Sequence, residues 1–143
     1  IALGGRQVLA PGRAAGPLVG GNLCVLVSTL GTPYAPRFDG AVLLLEDVGE
    51  EVYRVDRMLQ QLRLAGALAA LRGVLLGGLD VVPRRRKFPP DRPLLDVLRE
   101  VFLPLRVPVV AGLPCGHVPG NRSVPLGGRA AIDTARREVR FEP

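Results

Sequence analysis

One histidine occurs in the chain, His117. It follows the apolar run Val107-Pro108-Val109-Val110-Ala111 and is flanked by Pro114, Gly116 and Pro119. An unperturbed imidazole titrates near pH ~6.5, which suits it to proton transfer under physiological conditions. Glu46 stands in a comparable place, directly after the apolar run Ala41–Leu45. In open α/β sheets, ligands and catalytic groups collect where buried strands emerge at their carboxyl ends. At the ends of two neighbouring strands, Glu46 and His117 would form the orienting acid and the general base of a Ser-His-Glu triad. Position alone leaves plainer readings open: an incidental loop histidine, and a solvated loop acid among Asp47, Glu50 and Glu51.

A nucleophile is the part that is missing. Ser28 and Ser123 are the only serines, and neither stands in a GxSxG-like elbow. Ser28 lies inside an apolar segment and Ser123 in a loop after His117. Cys115, two positions before His117, is a formal alternative, because an extended stretch would put both side chains on one face. No neighbouring charge or oxyanion site in the sequence would activate it. Gly16–Leu23 resembles a phosphate loop only superficially, lacking the lysine and the Ser/Thr that reach phosphate and magnesium. A zinc site would need more than one histidine and two distant cysteines. No cofactor or metal is expected.

The elements that must position these groups follow from periodicity. Residues 1–21 are rich in Gly and Pro and read as loops with a short strand around Gln7–Ala10. Asn22, as N-cap, opens a short buried helix over Leu23–Leu30, closed by Gly31, with a strand as the alternative because Val is frequent there. Ala41–Leu45 reads as a strand buried on both faces. Val52 to Ala65 carries apolar residues at helical spacing, with Met58 and the leucines on the core side. Gly73–Gly77 and Val107–Ala111 are further strands, and a helix runs from Pro93 to Pro104. The C-terminus reads as a hairpin, Ala130–Asp133 and Glu138–Phe141, joined through Thr134-Ala135. Strands alternating with helices give an α/β domain with antiparallel strands added at its ends.

Bulk properties bound the answer. A chain of 143 residues, 48% hydrophobic and 22% charged, is one globular domain rather than a disordered segment. No apolar run approaches the ~18 residues of a membrane span. Two cysteines, Cys24 and Cys115, form no disulfide framework, so a reducing, cytoplasmic setting is expected. The net charge of +6 comes from scattered arginines, Lys87 being the one lysine. Their single cluster, Arg84–Lys87, lies between prolines and reads as a solvated loop, since aromatic stacking partners for nucleic acid are nearly lacking. The chain starts at Ile1, with neither Met nor a signal-peptide pattern, as expected of a piece of a longer protein.

Several stretches, taken in order, resemble a known family. Gly20-Gly21-Asn22-Leu23 and Leu30-Gly31-Thr32-Pro33-Tyr34 are followed by Leu44-Leu45-Glu46-Asp47-Val48-Gly49-Glu50 and Tyr53-Arg54-Val55-Asp56-Arg57-Met58-Leu59. Gly112-Leu113-Pro114-Cys115-Gly116-His117 and Pro125-Leu126-Gly127 complete the series. The set is similar to the C-terminal domain of LD-carboxypeptidases over roughly positions 16 to 133. The resemblance implies a swivelling β/β/α-type domain with two to three helices and a C-terminal hairpin. It implies a Ser-His-Glu triad in which Glu46 and His117 are catalytic and the serine belongs to an N-terminal domain that this chain lacks, with Asn22 and Glu50 lining the substrate cleft. The implied substrate is a murein stem tetrapeptide that loses its terminal D-alanine in cytoplasmic peptidoglycan recycling, and the implied assembly is a homodimer, with no nucleic-acid or membrane partner. A microcin-immunity-like peptidase and a non-catalytic interaction module are the alternatives; Glu50 favours the murein branch. The chain has Cys24 where the family often has Ser or Thr.

Overall fold

Alternation along one strand fixes the layers. Between Val42 and Leu45, Leu43 and Leu45 join one buried cluster while Val42 and Leu44 join another. A strand covered on both faces must run through the middle of a sheet. The computed structural model describes residues 1–3, 8–83 and 92–143. Within them lie β1 (Val8–Ala10), β2 (Arg13–Asn22), α1 (Leu23–Ser28), β3 (Val42–Glu51), α2 (Val52–Leu64) and β4 (Gly73–Val82). These are followed by α3 (Leu94–Phe102), a 3-10 turn over Leu103–Leu105, β5 (Val109–Ala111), β6 (Arg129–Asp133) and β7 (Glu138–Glu142).

The strands order as β1-β5-β4-β3-β2-β6-β7. β5, β4, β3 and β2 are mutually parallel, β1 is antiparallel at one edge, and β6 and β7 join antiparallel through β2. β2 serves two neighbours in turn. Its first half, Arg13–Pro17, pairs with β6, and its second half, Leu18–Asn22, pairs with β3. The hairpin is thereby laid over one face of the parallel strands. Ala130, Ile132 and Val139 bury against Val42, Leu44, Leu75 and Val110. Gly73 leaves the room: a Cβ there would stand 2.8 Å from Ile132 Cδ1.

The opposite face is covered by helices. Val52, Val55, Met58, Leu59 and Leu62 form the buried stripe of α2, and Val97, Leu98, Val101 and Phe102 that of α3. They pack on Leu43, Leu45, Val74, Leu76 and Val109. Each such leucine, fully buried, contributes on the order of 1.5–3 kcal/mol. Hairpin, parallel sheet and helices make three layers, the β/β/α arrangement that the family resemblance implied.

Three expectations need correction. Residues 13–22 form a ten-residue strand, not a loop. Gly16 and Gly20 are there because β3 and the turn before it press on them: a Cβ at Gly16 would run into the carbonyl oxygen of Gly40, and one at Gly20 into that of Leu44. β4 does not stop at Gly77 but continues to Val82 through a bulge. The 93–104 segment is helical only over Leu94–Phe102, with Pro93 as N-cap and Pro104 inside the 3-10 turn. Smaller differences are of length: α1 ends at Ser28, β5 starts at Val109, and the hairpin turn spans the residues up to Arg137, whose φ is 54°. Gln7 and the Arg84–Lys87 loop lie outside the described residues.

Candidate active site

The carboxyl ends of the parallel strands gather the polar residues. Asn22, the last residue of β2, pairs in register with Glu46 of β3. Glu46 is not the end of its strand, as the sequence suggested, since β3 runs on to Glu51. It sits instead at a break in the β3–β4 register, which passes from Leu45↔Leu76 to Asp47↔Leu79. Gly77 and Gly78 of β4 therefore face the single residue Glu46. A bulge of this kind re-aims a side chain beside a functional site.

His117 reaches Glu46 from further off than expected. Its loop follows β5, and β4 lies between β5 and β3. The loop folds back across β4: Leu113 N–H donates to the Leu76 carbonyl at 3.0 Å, and Gly78 N–H donates to the Cys115 carbonyl at 3.0 Å. Without side chains at Gly77 and Gly78 the loop can lie this close, since a Cβ on Gly77 would stand 2.5 Å from the Cys115 oxygen. Gly116 N–H then donates to Asn121 Oδ1 at 3.1 Å, and Arg122 N–H to the Pro114 carbonyl at 2.7 Å, tying the loop to itself.

The result is a direct pair. His117 Nδ1 lies 2.8 Å from Glu46 Oε2, and the His117 backbone N–H donates to the same oxygen at 3.2 Å. Gly116 makes the approach possible, having φ of 93° and no Cβ to collide with the Glu46 carboxylate. The Glu46 side chain is 10% exposed and that of His117 58%. A buried carboxylate thus holds Nδ1 while the rest of the ring faces solvent, leaving Nε2 as the atom a reacting group can meet. That is the geometry of an acid that fixes a histidine's tautomer for general-base work.

The other candidates separate clearly. Cys115 does not share a face with His117, because Gly116 breaks the extended stretch and the thiol is buried. Burial, and secondarily the Glu46 carboxylate, push the Cys115 thiol up, away from the thiolate a nucleophile needs. The Ser28 hydroxyl donates to the Val25 carbonyl within α1. Among the described residues no serine hydrogen-bonds to His117. Asn22 Oδ1 accepts from Val25 N–H at 3.0 Å, the N-cap bond read from the sequence. Glu50 lies beyond Gly49 on β3, its Oε2 3.7 Å from Arg54 Nη1.

Sequence reasoning missed Asp47. It is buried, and its carboxylate accepts from Asn22 Nδ2 at 3.0 Å, Cys24 N–H at 3.0 Å and Val48 N–H at 2.8 Å. Nothing in the acidic run distinguishes it from its neighbours; the signal would have been its register next to an N-cap. Beside these residues a groove of about 460 Å³ runs along α1 from Asn22, lined largely by apolar side chains including Leu18, Val25, Leu26, Tyr34 and Leu126.

Residues 15–132 match the family model described as LD-carboxypeptidase C-terminal domain. The chain belongs to the LD-carboxypeptidase family. It is 39% identical over 135 residues to the Bacillus subtilis protein named "Probable murein peptide carboxypeptidase", covering 94% of this chain and 42% of that one. The crystal structure of muramoyltetrapeptide carboxypeptidase from Oxalobacter formigenes overlays with a TM-score of 0.79 at 32% identity, over 93% of this chain and 46% of that one. The Microcin C7 self-immunity protein MccF, known from Escherichia coli, overlays with a TM-score of 0.83 at 25% identity, over 96% of this chain and 40% of that one. The chain thus spans less than half the length of each of these relatives. As the LD-carboxypeptidase C-terminal domain, it has the three-layer fold and mixed sheet that the motif series led us to expect.

Proposed function

We propose that this domain is the acid–base half of a serine-type LD-carboxypeptidase that removes the terminal D-alanine from murein stem tetrapeptides. The 2.8 Å contact between Glu46 and His117 carries the reading. The nucleophilic serine comes from an N-terminal domain outside this chain, which accords with the chain spanning less than half of its relatives. In that assembly the serine hydroxyl attacks the scissile carbonyl as His117 Nε2 takes its proton. Collapse of the tetrahedral intermediate breaks the amide bond, and His117 passes the proton to the departing amine of D-alanine. Water, deprotonated by the same nitrogen, then releases the acyl group and restores the serine. Glu46 holds Nδ1–H throughout and stabilises the transient imidazolium.

Asn22 and Glu50 belong to the substrate cleft in this account. The setting is cytoplasmic peptidoglycan recycling, a reading supported by two free cysteines. The enzyme works as a homodimer, as the family resemblance implies. The higher identity to the murein peptidases, 39% against 26% for the microcin immunity protein, supports a murein peptide as the substrate.

The test joins this chain to its nucleophile-bearing domain and offers a murein tetrapeptide. Release of free D-alanine is expected. A folded two-domain protein that leaves the tetrapeptide intact but hydrolyses a microcin-type substrate would overturn the murein assignment; cleavage of neither would overturn the activity.

A further inference from the structure

The side chain of Asn22 is held from both ends. Its Oδ1 is occupied by the N–H of Val25 and one Nδ2–H by Asp47 Oδ1, each at 3.0 Å. A carboxamide carries two N–H donors, so one is left over, on a residue that lines the groove along α1 and pairs in register with Glu46. The amide cannot turn over without setting its N–H groups against the Val25 N–H and its oxygen against a carboxylate. Asp47 anchors the arrangement. Its Oδ2 takes the Cys24 N–H at 3.0 Å, its Oδ1 also takes its own neighbour's N–H at 2.8 Å, and it is only 4% exposed.

We propose that Asp47 is a positioning residue which locks Asn22 into presenting a single N–H donor, and no acceptor, to the substrate. The group Asn22 recognises is then a hydrogen-bond acceptor, a carboxylate or carbonyl oxygen of the peptide near its cleaved end, and not an amine. This rests on the carboxypeptidase reading above for the identity of the substrate, but not for the clamp itself.

Asp47→Ala tests the clamp by removing both acceptor oxygens. Asparagine would not, because its one amide oxygen can turn toward Asn22 Nδ2 and Val48 N–H and keep that bond. In the 143-residue chain, the side-chain amide of Asn22, assigned by its loss in Asn22→Ala, is expected to show one N–H protected from solvent exchange. Two rapidly exchanging N–H protons in the unsubstituted chain would overturn the clamp, whether or not the variant folds. In the two-domain enzyme, Asp47→Ala should raise KM about tenfold or more while kcat stays within about threefold, since it removes the support of a contact shared by ground and transition states. The same change made on top of Asn22→Ala should add nothing to KM. Independent, additive losses, or a loss confined to kcat, would overturn the role of Asp47 through Asn22. Loss of all activity in the unsubstituted enzyme would instead count against the carboxypeptidase reading, with the exchange measurement still deciding the clamp.

Discussion

A single oxygen, Oε2 of Glu46, receives both the Nδ1 of His117 at 2.8 Å and the backbone N–H of the same residue at 3.2 Å. The ring and the chain that carries it are therefore fixed by one acceptor. Rotation of the imidazole would forfeit a hydrogen bond to a buried carboxylate, a contact of the kind worth about 1.5–3 kcal/mol. The pair also explains the glycine before the histidine, because any side chain at 116 would occupy the space of the carboxylate.

The first consequence is a defined tautomer. With Nδ1 facing a carboxylate, the neutral ring should carry its proton on Nδ1 and leave Nε2 as the acceptor. Ring 15N shifts of His117 should report that tautomer, and Glu46→Ala should return the ring to the mixture of tautomers typical of a free histidine. Dominance of the Nε2–H form in the unsubstituted chain would contradict the hydrogen bond.

A Cβ at position 116 should be costly twice over. Gly116→Ala places a methyl group against the Glu46 side chain at a φ of 93°. Such backbone strain costs on the order of 1–3 kcal/mol. Chemical denaturation should show that loss, and kcat of the two-domain enzyme should fall with it. A neutral effect on both would mean that the loop does not need this approach.

Cys115 and Cys24 should differ in reactivity. Cys24 is exposed and Cys115 buried, with its thiol pushed up by desolvation and then by Glu46. Near neutral pH, iodoacetamide should modify Cys24 and spare Cys115 in the folded chain. The sign of the linkage follows: a thiol whose folded pKa is raised favours the native state while both states are protonated, and that contribution is lost as pH rises through the folded pKa. Cys115→Ala should flatten this alkaline loss of stability seen by denaturation.

Much of this could be read from the residue pattern, and the gaps have physical causes. The apolar runs at 41–45 and 73–77 and the helical stripe from Val52 to Leu62 declare themselves because burial demands the apolar types they show. β2 was hidden because Gly16 and Gly20, which read as loop, are required by the closeness of Gly40 and Leu44. The Gly77-Gly78 pair read as a strand end for a similar reason; it is a bulge that admits the Cys115 carbonyl. Glu46 was visible as the first polar residue after an apolar run, and His117 as the one histidine of the chain. Asp47 was not, since its burial depends on a partner, Asn22, on another strand.

The isolated chain should be a folded but silent half-site. Residues 1–143 alone should release no D-alanine from a murein tetrapeptide above the uncatalysed background. Turnover by the chain alone, abolished by Cys115→Ala or Ser123→Ala, would place the nucleophile here and not on another domain.

The most direct test is the rate of D-alanine release by the two-domain enzyme with Glu46→Gln. Glutamine keeps the shape of the side chain but cannot hold the imidazolium that forms as the serine is deprotonated. The expected result is a fall in kcat of about 10²–10⁴-fold, with His117→Ala at least as damaging. A Glu46→Gln enzyme that turns over at nearly the unsubstituted rate would contradict the assignment of Glu46 and His117 as its acid–base pair.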